Sequence, residues 1–234
     1  MKIKVLYEDK DILAIEKPSG ISVHGDGKNK EKTLVEWILK KYPKMKNVGE
    51  PMGEINRPGV VHRLDKETSG VLLLAKNKKA YEFLKNQFKN REIKKTYNAI
   101  VSGWVKDDRG IINKPIGRSP SDFRRHLAGR GARGELREAV TEYRVLKRFK
   151  ISQNKFTYLE IRPKTGRTHQ IRVHMKFLNH PVACDSLYDP RGLCPKSLKR
   201  LALHAKSIEF KDLKEKIVKV ESPLPKDFSK IAKG

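Results

Sequence analysis

Ten residues, "VHRLDKETSG" at 61–70, place Arg63, Asp65 and a small-residue ending directly before the apolar run "VLLLAK". An aspartate in a polar loop usually caps a turn. Beside a guanidinium it can also act as a nucleophile, or support positive charge on a reacting centre. Three other stretches carry groups suited to the same chemistry: "KKTYNAIVSG" at 94–103, "KTGRTHQIRVH" at 164–174 and "RLALHA" at 200–205. A carboxylate in a closed pocket protonates unless a cation compensates it. Arg167 is the first choice for that cation, because a guanidinium stays charged and can grip a carboxylate through two hydrogen bonds. Arg172 is the alternative, either for the same pairing or for a phosphate. Tyr97 offers a flat aromatic face. Its phenol ordinarily titrates at about pH 10, so stacking suits it better than proton transfer, and "TYNAIV" is also plain strand sequence.

The balance of charge narrows the partner. Fifty-three Lys and Arg against 27 Asp and Glu give a net charge of +26 and a pI near 10.1. Surface ion pairing between Lys and Glu does not account for such an imbalance, whereas a polyanionic partner does. "SDFRRHLAGRGARGELRE" at 121–138 holds five arginines and three glycines. It reads as a mobile loop that orders on nucleic acid, with Arg124, Arg125 and Arg130 on phosphates; a solvated insertion is the plainer reading. No apolar stretch approaches membrane-span length, and "MKIKVLYEDK" lacks a signal-peptide core. A soluble cytoplasmic protein without a membrane partner is the expectation. Cys184 and Cys194 read as two reduced structural thiols. Together with His180 and Asp185 they match no metal-ligand spacing, so no metal site is expected.

Taken together, the four motifs in their order resemble the RluA-type pseudouridine synthases. "HRLDKETSG" carries every fixed position of that family's HRLDxxTSG motif, and the tyrosine and GRTHQIRVH segments follow in sequence. The resemblance implies conversion of selected uridines to pseudouridine in structured transfer or ribosomal RNA, without a cofactor. In that reaction the N1–C1′ glycosidic bond breaks, the uracil turns, and C5 joins C1′ with no redox change. By resemblance Asp65 attacks either the ribose or the uracil; the sequence leaves both open. Tyr97 stacks on the uracil, Leu203 and Leu201 form an apolar wall beneath it, and Arg63 fills the space left by an extruded base, with His62 taking a lesser share of RNA contact. The plain alternatives are core for the two leucines and a surface ion pair for Arg63. A non-catalytic RNA-binding or chaperone protein that keeps the fold is the competing reading.

These groups need a scaffold. "KVLYEDKDILAIEKPSG" suggests two strands around a polar turn, and "TLVEWILKKY" suggests a helix through Leu34, Trp37, Ile38 and Tyr42. "VLLLAK", apolar on both faces, reads as a central strand, followed by an amphipathic helix in "KKAYEFLKNQFKN". Four more strands are expected in "IKKTYNAIVSG", "EAVTEYRVLKRF", "KFTYLEIRPK" and "EKIVKVESP". "THQIRVHMKFLN" fits either period; Thr168 as an N-cap favours helix. The expected class is α+β, with a mixed, mostly antiparallel sheet and helices packed on it. One catalytic domain over 1–234 is expected, acting as a monomer, without the separate N-terminal RNA-binding domain that many family members carry.

Overall fold

Apolar alternation and β-branched runs become twelve strands in the computed structural model, which describes residues 2–25, 31–51, 53, 55 and 57–233. In chain order, β1 (Lys4–Glu8), β2 (Ile12–Lys17), α1 (Leu34–Lys41), β3 (Ser69–Ala75) and α2 (Lys78–Lys89) come first. Then follow β4 (Lys94–Ser102), β5 (Arg109–Asn113), β6 (Ile116–Arg118), β7 (His126–Ala128), β8 (Arg133–Arg137), β9 (Val140–Ile151) and β10 (Asn154–Pro163). Last are α3 (Gln170–Phe177), β11 (Leu203–Lys211), β12 (Ile217–Glu221) and α4 (Lys226–Lys233). The architecture is mixed α+β with a mostly antiparallel sheet. The chain divides into two compact units, Met1–Lys94 with Ala205–Pro223, and Lys95–His204 with Leu224–Gly234.

In the first unit the strands run in the order β1-β2-β3-β11, with β12 on β11. The β1–β2 turn is set by Asp9, whose Oδ1 accepts the N–H groups of Asp11 at 2.8 Å and Ile12 at 2.6 Å. Every residue of β3 is buried, as expected for a central strand. Thr33 and Glu36 close a capping box at the start of α1. Gly70 takes φ +117°, and a Cβ there would lie 2.2 Å from the Ala205 carbonyl oxygen. Only glycine allows that approach.

In the second unit β4, β10, β9 and β5 form an antiparallel sheet in that order. Ala99, Val101, Phe156, Leu159 and Ile161 of this sheet join Ile171 and Met175 of α3 in one core. The helical reading of 168–179 holds, but its start differs. His169, in the left-handed region at φ 56°, occupies the N-cap, and no side chain caps the helix. The six residues Gln170–Met175 are all buried, so polar and apolar side chains alike face inward. That is why neither period dominated the sequence.

The structure corrects two further expectations. The segment expected as a mobile loop is ordered: β6, β7 and β8 make a separate three-stranded sheet, whose Ile116 packs with Ala139, Val173 and Tyr188. Its positive-φ glycines, Gly129, Gly131 and Gly134, lie in the connection from β7 to β8 and at the start of β8, the two strands that flank β6. Cys184 and Cys194 are joined in a disulfide, where two reduced thiols were expected. The backbone explains the proximity. Cys184 takes φ 60°, and its N–H bonds the Leu193 carbonyl at 3.2 Å, folding the segment back on itself.

Candidate active site

Asp65 stands, half-buried, on a turn closed by the Thr68 N–H to its own carbonyl at 3.1 Å. The turn is stitched to the "EKPSG" segment. Gly20 N–H donates to the Lys66 carbonyl at 2.9 Å, and Ser19 Oγ donates to the Glu67 carbonyl at 2.6 Å. The principal tie is Lys17, which is wholly buried. Its Nζ donates to the carbonyls of Pro18, Ile21 and Lys66 at 2.9, 2.8 and 2.9 Å. Burial pushes the Lys17 amine down to about 7, while the Asp65 and Glu67 carboxylates draw it back up. Three acceptors call for three N–H bonds, and only the ammonium form supplies them. The geometry therefore keeps a positive charge under the Asp65 turn.

Sequence reasoning missed Lys17. A lysine ending an apolar strand ahead of a proline was its only signal.

Arg63 is exposed, the condition an RNA-contacting side chain needs. His62 is half-buried. Its Nε2 accepts the Leu73 N–H at 2.9 Å, and its ring stacks on Phe88 with centroids 4.7 Å apart. It pins the motif to β3 and α2.

In the second unit Tyr97 is partly buried, packs against the core and pairs with Ile161 across the β4–β10 ladder. Gln170 organises the GRTHQ turn. Its Oε1 accepts the Arg167 N–H at 3.0 Å and the Thr165 hydroxyl at 2.6 Å, and its Nε2 donates to Val140 O and Thr141 Oγ1. Arg167 donates Nε to the Glu138 carbonyl at 2.9 Å. Within this unit its guanidinium braces main chain.

Arg172 is the arginine that grips a carboxylate here. Nε and Nη2 reach the two Asp185 oxygens at 2.8 Å each, with side-chain exposures of 6% and 0% for the pair. An arginine so buried is not available to an RNA phosphate, which corrects that option. Asp185 also accepts the N–H groups of Leu187 and Tyr188. The Arg172 guanidinium lies 5.0 Å from the Tyr188 ring centroid. The Tyr188 hydroxyl accepts the His126 N–H and meets His169 Nδ1, both at 2.9 Å. A continuous chain of interactions thus links α3, the 185–188 turn and β7. Asp185 and Tyr188 were not legible, since Arg172 lies 13 positions from Asp185 and the His126 N–H lies 62 positions from Tyr188.

His174 is buried, with Nδ1 at 2.8 Å from Thr141 Oγ1 and Nε2 at 3.0 Å from the Lys114 carbonyl. The carbonyl only accepts, so Nε2 carries the proton, and burial holds the ring below the usual histidine range. Leu201 and Leu203 are each 3% exposed and belong to the core. Packing accounts for both, and Leu203 presents no open face to a base.

In the β6–β7 connection, Asp122 binds two of the three expected phosphate contacts. Arg124 reaches it through Nε and Nη2 at 3.0 and 2.9 Å, and Arg125 Nε lies 3.3 Å away. Arg124 and Arg130 are exposed, while Arg125 is half-buried.

The family model for RNA pseudouridylate synthase matches residues 11–177. The uncharacterized RNA pseudouridine synthase YlyB of Bacillus subtilis is 38% identical over 232 residues, covering 99% of this chain and 72% of its own. An uncharacterized RNA pseudouridine synthase of Aquifex aeolicus is 44% identical over 186 residues, but the chain spans only 56% of its length. Ribosomal large subunit pseudouridine synthase D of Borreliella burgdorferi is 39% identical, covering 97% of this chain and 66% of that protein. Among solved structures, human RNA Pseudouridylate Synthase Domain Containing 1 superposes with a TM-score of 0.75 at 26% identity, covering 96% of this chain and 84% of the other.

Proposed function

From the premise that this chain belongs to the RNA pseudouridylate synthase family, isomerases that act on RNA, we propose that it converts selected uridines of structured ribosomal or transfer RNA to pseudouridine. Asp65 supplies the carboxylate. It attacks the ribose or the uracil while the N1–C1′ bond breaks and the C5–C1′ bond forms. Tyr97 lies on the uracil ring, and Arg63 enters the space left when the base is extruded, a step that costs a few kcal/mol. Arg124 and Arg125 of the three-stranded sheet hold phosphates, as a chain of net charge +26 favours. The ribosomal choice is favoured by the activity for which the Borreliella relative is named. We place the reaction in the cytoplasm, in a monomer acting as a single catalytic domain. The chemistry moves protons and one glycosidic bond but no electrons, so it asks for no cofactor.

One observation carries this reading. Asp65 sits on a turn held by a buried lysine with all three of its N–H bonds committed. A surface capping aspartate needs no such support.

The test is Asp65→Asn in the full chain, incubated with RNA from cells lacking the gene, with pseudouridines mapped before and after. Conversion is expected to fall by at least about 1,000-fold, with RNA affinity retained. A variant that still converts uridine overturns the mechanism. A wild-type protein that binds RNA and converts none supports the non-catalytic alternative.

A further inference from the structure

Phe123 is the most exposed large apolar side chain among the described residues, at 87%. It lies in the β6–β7 connection, and that connection is firmly built. Arg125 N–H donates to the Asp122 carbonyl at 2.9 Å, Arg124 N–H donates to Asp122 Oδ1 at 3.0 Å, and Ser119 N–H donates to the Arg125 carbonyl at 3.0 Å. Two guanidinium groups share the one Asp122 carboxylate, leaving the turn cationic. The base of the same sheet is fixed through Ile116 in its small core and through the Tyr188 hydroxyl. The ring is therefore displayed by an ordered scaffold, beside arginines and open to solvent.

A flat, exposed apolar face followed in sequence by two arginines matches one ligand chemistry well: a nucleobase between its own phosphates. Paired bases hide their faces in the stack, so the base must be unpaired. An acidic protein would be drawn by the charge but gives no reason for an aromatic ring. We propose that Phe123 stacks on an unpaired base of the RNA, while Arg124 and Arg125 hold the adjoining phosphates. The assignment rests on the RNA-acting function above and adds a specificity element to it, for a loop or bulge in the RNA.

The test uses the full chain and two RNAs, a hairpin with 2-aminopurine in its loop and its stem alone as a blunt duplex. Phe123→Ala is expected to weaken hairpin binding by about 10-fold or more and to abolish the stacking quench of 2-aminopurine. Duplex affinity should be unchanged, and so should the slope of affinity against salt, because stacking releases no counterions. Phe123→Tyr should bind as wild type, and Phe123→Leu should resemble the alanine variant. The triple variant Arg124→Ala, Arg125→Ala, Arg130→Ala should flatten the salt slope by about 0.9 for each phosphate no longer neutralised. If Phe123→Ala or Phe123→Leu binds the hairpin as wild type, or if the duplex loses affinity equally, stacking is overturned. If the triple variant also binds as wild type, the RNA-gripping role given above to this sheet falls with it. The Asp65→Asn conversion assay stands apart from both results.

Discussion

At the residue scale, much of the polar chemistry lies where water does not reach. Lys17, Gln170, Arg172, His174 and Asp185 are all buried, and each is hydrogen-bonded to groups far from it in sequence. A buried charge that loses its partner costs more than the pair itself contributes. Asp185→Ala would strand the Arg172 guanidinium and free the N–H groups of Leu187 and Tyr188. Urea unfolding should show a loss of about 3–5 kcal/mol. A loss below about 1 kcal/mol, the range of exposed pairs, would mean that water already reaches Arg172.

At the element scale, the strands carry the motifs by very tight backbone approach. β3 runs directly out of the Asp65 turn, and Gly70 at its start faces Lys17 across the β2–β3 ladder. Gly70→Ala would push a methyl group to within 2.2 Å of the Ala205 oxygen at a backbone angle that side chains avoid. We expect at least about 3 kcal/mol of lost stability, together with lost conversion, since the turn that aims Asp65 must shift. A thermally normal Gly70→Ala protein would show that β11 yields more easily than this packing implies. The 121–138 segment, which holds β7 and β8, was expected as a mobile loop because its glycines loosen the backbone and its arginines suit phosphates. Tertiary anchoring at Ile116 and Tyr188 overrode that looseness.

For the whole molecule, 53 cations against 27 anions set two opposite responses to salt. Self-repulsion at a net charge of +26 destabilises the folded chain and is screened over a Debye length of about 10 Å at 0.1 M salt. Raising salt from about 20 to 200 mM should therefore raise Tm. About 1 kcal/mol of relieved repulsion corresponds to roughly 2–4 °C for a chain of this size. RNA affinity should fall over the same range, because binding then releases its counterions into a more concentrated salt solution. A Tm that falls with salt would show that the surface ion pairs outweigh the excess positive charge.

The sequence by itself determined the class of fold, the central strand, most of the other strands and three of the helices, because those follow from local periodicity. It also determined the family, through motifs of fixed residue type, and the nucleic-acid partner, through net charge. Tertiary structure alone decided what each motif residue is tied to. It tied His62 to Leu73 and Phe88, gave Arg172 to Asp185, set Lys17 beneath the Asp65 turn, joined Cys184 to Cys194 and ordered the arginine-rich segment. Each of these depends on partners brought together by folding, or on a backbone reversal that periodicity does not encode.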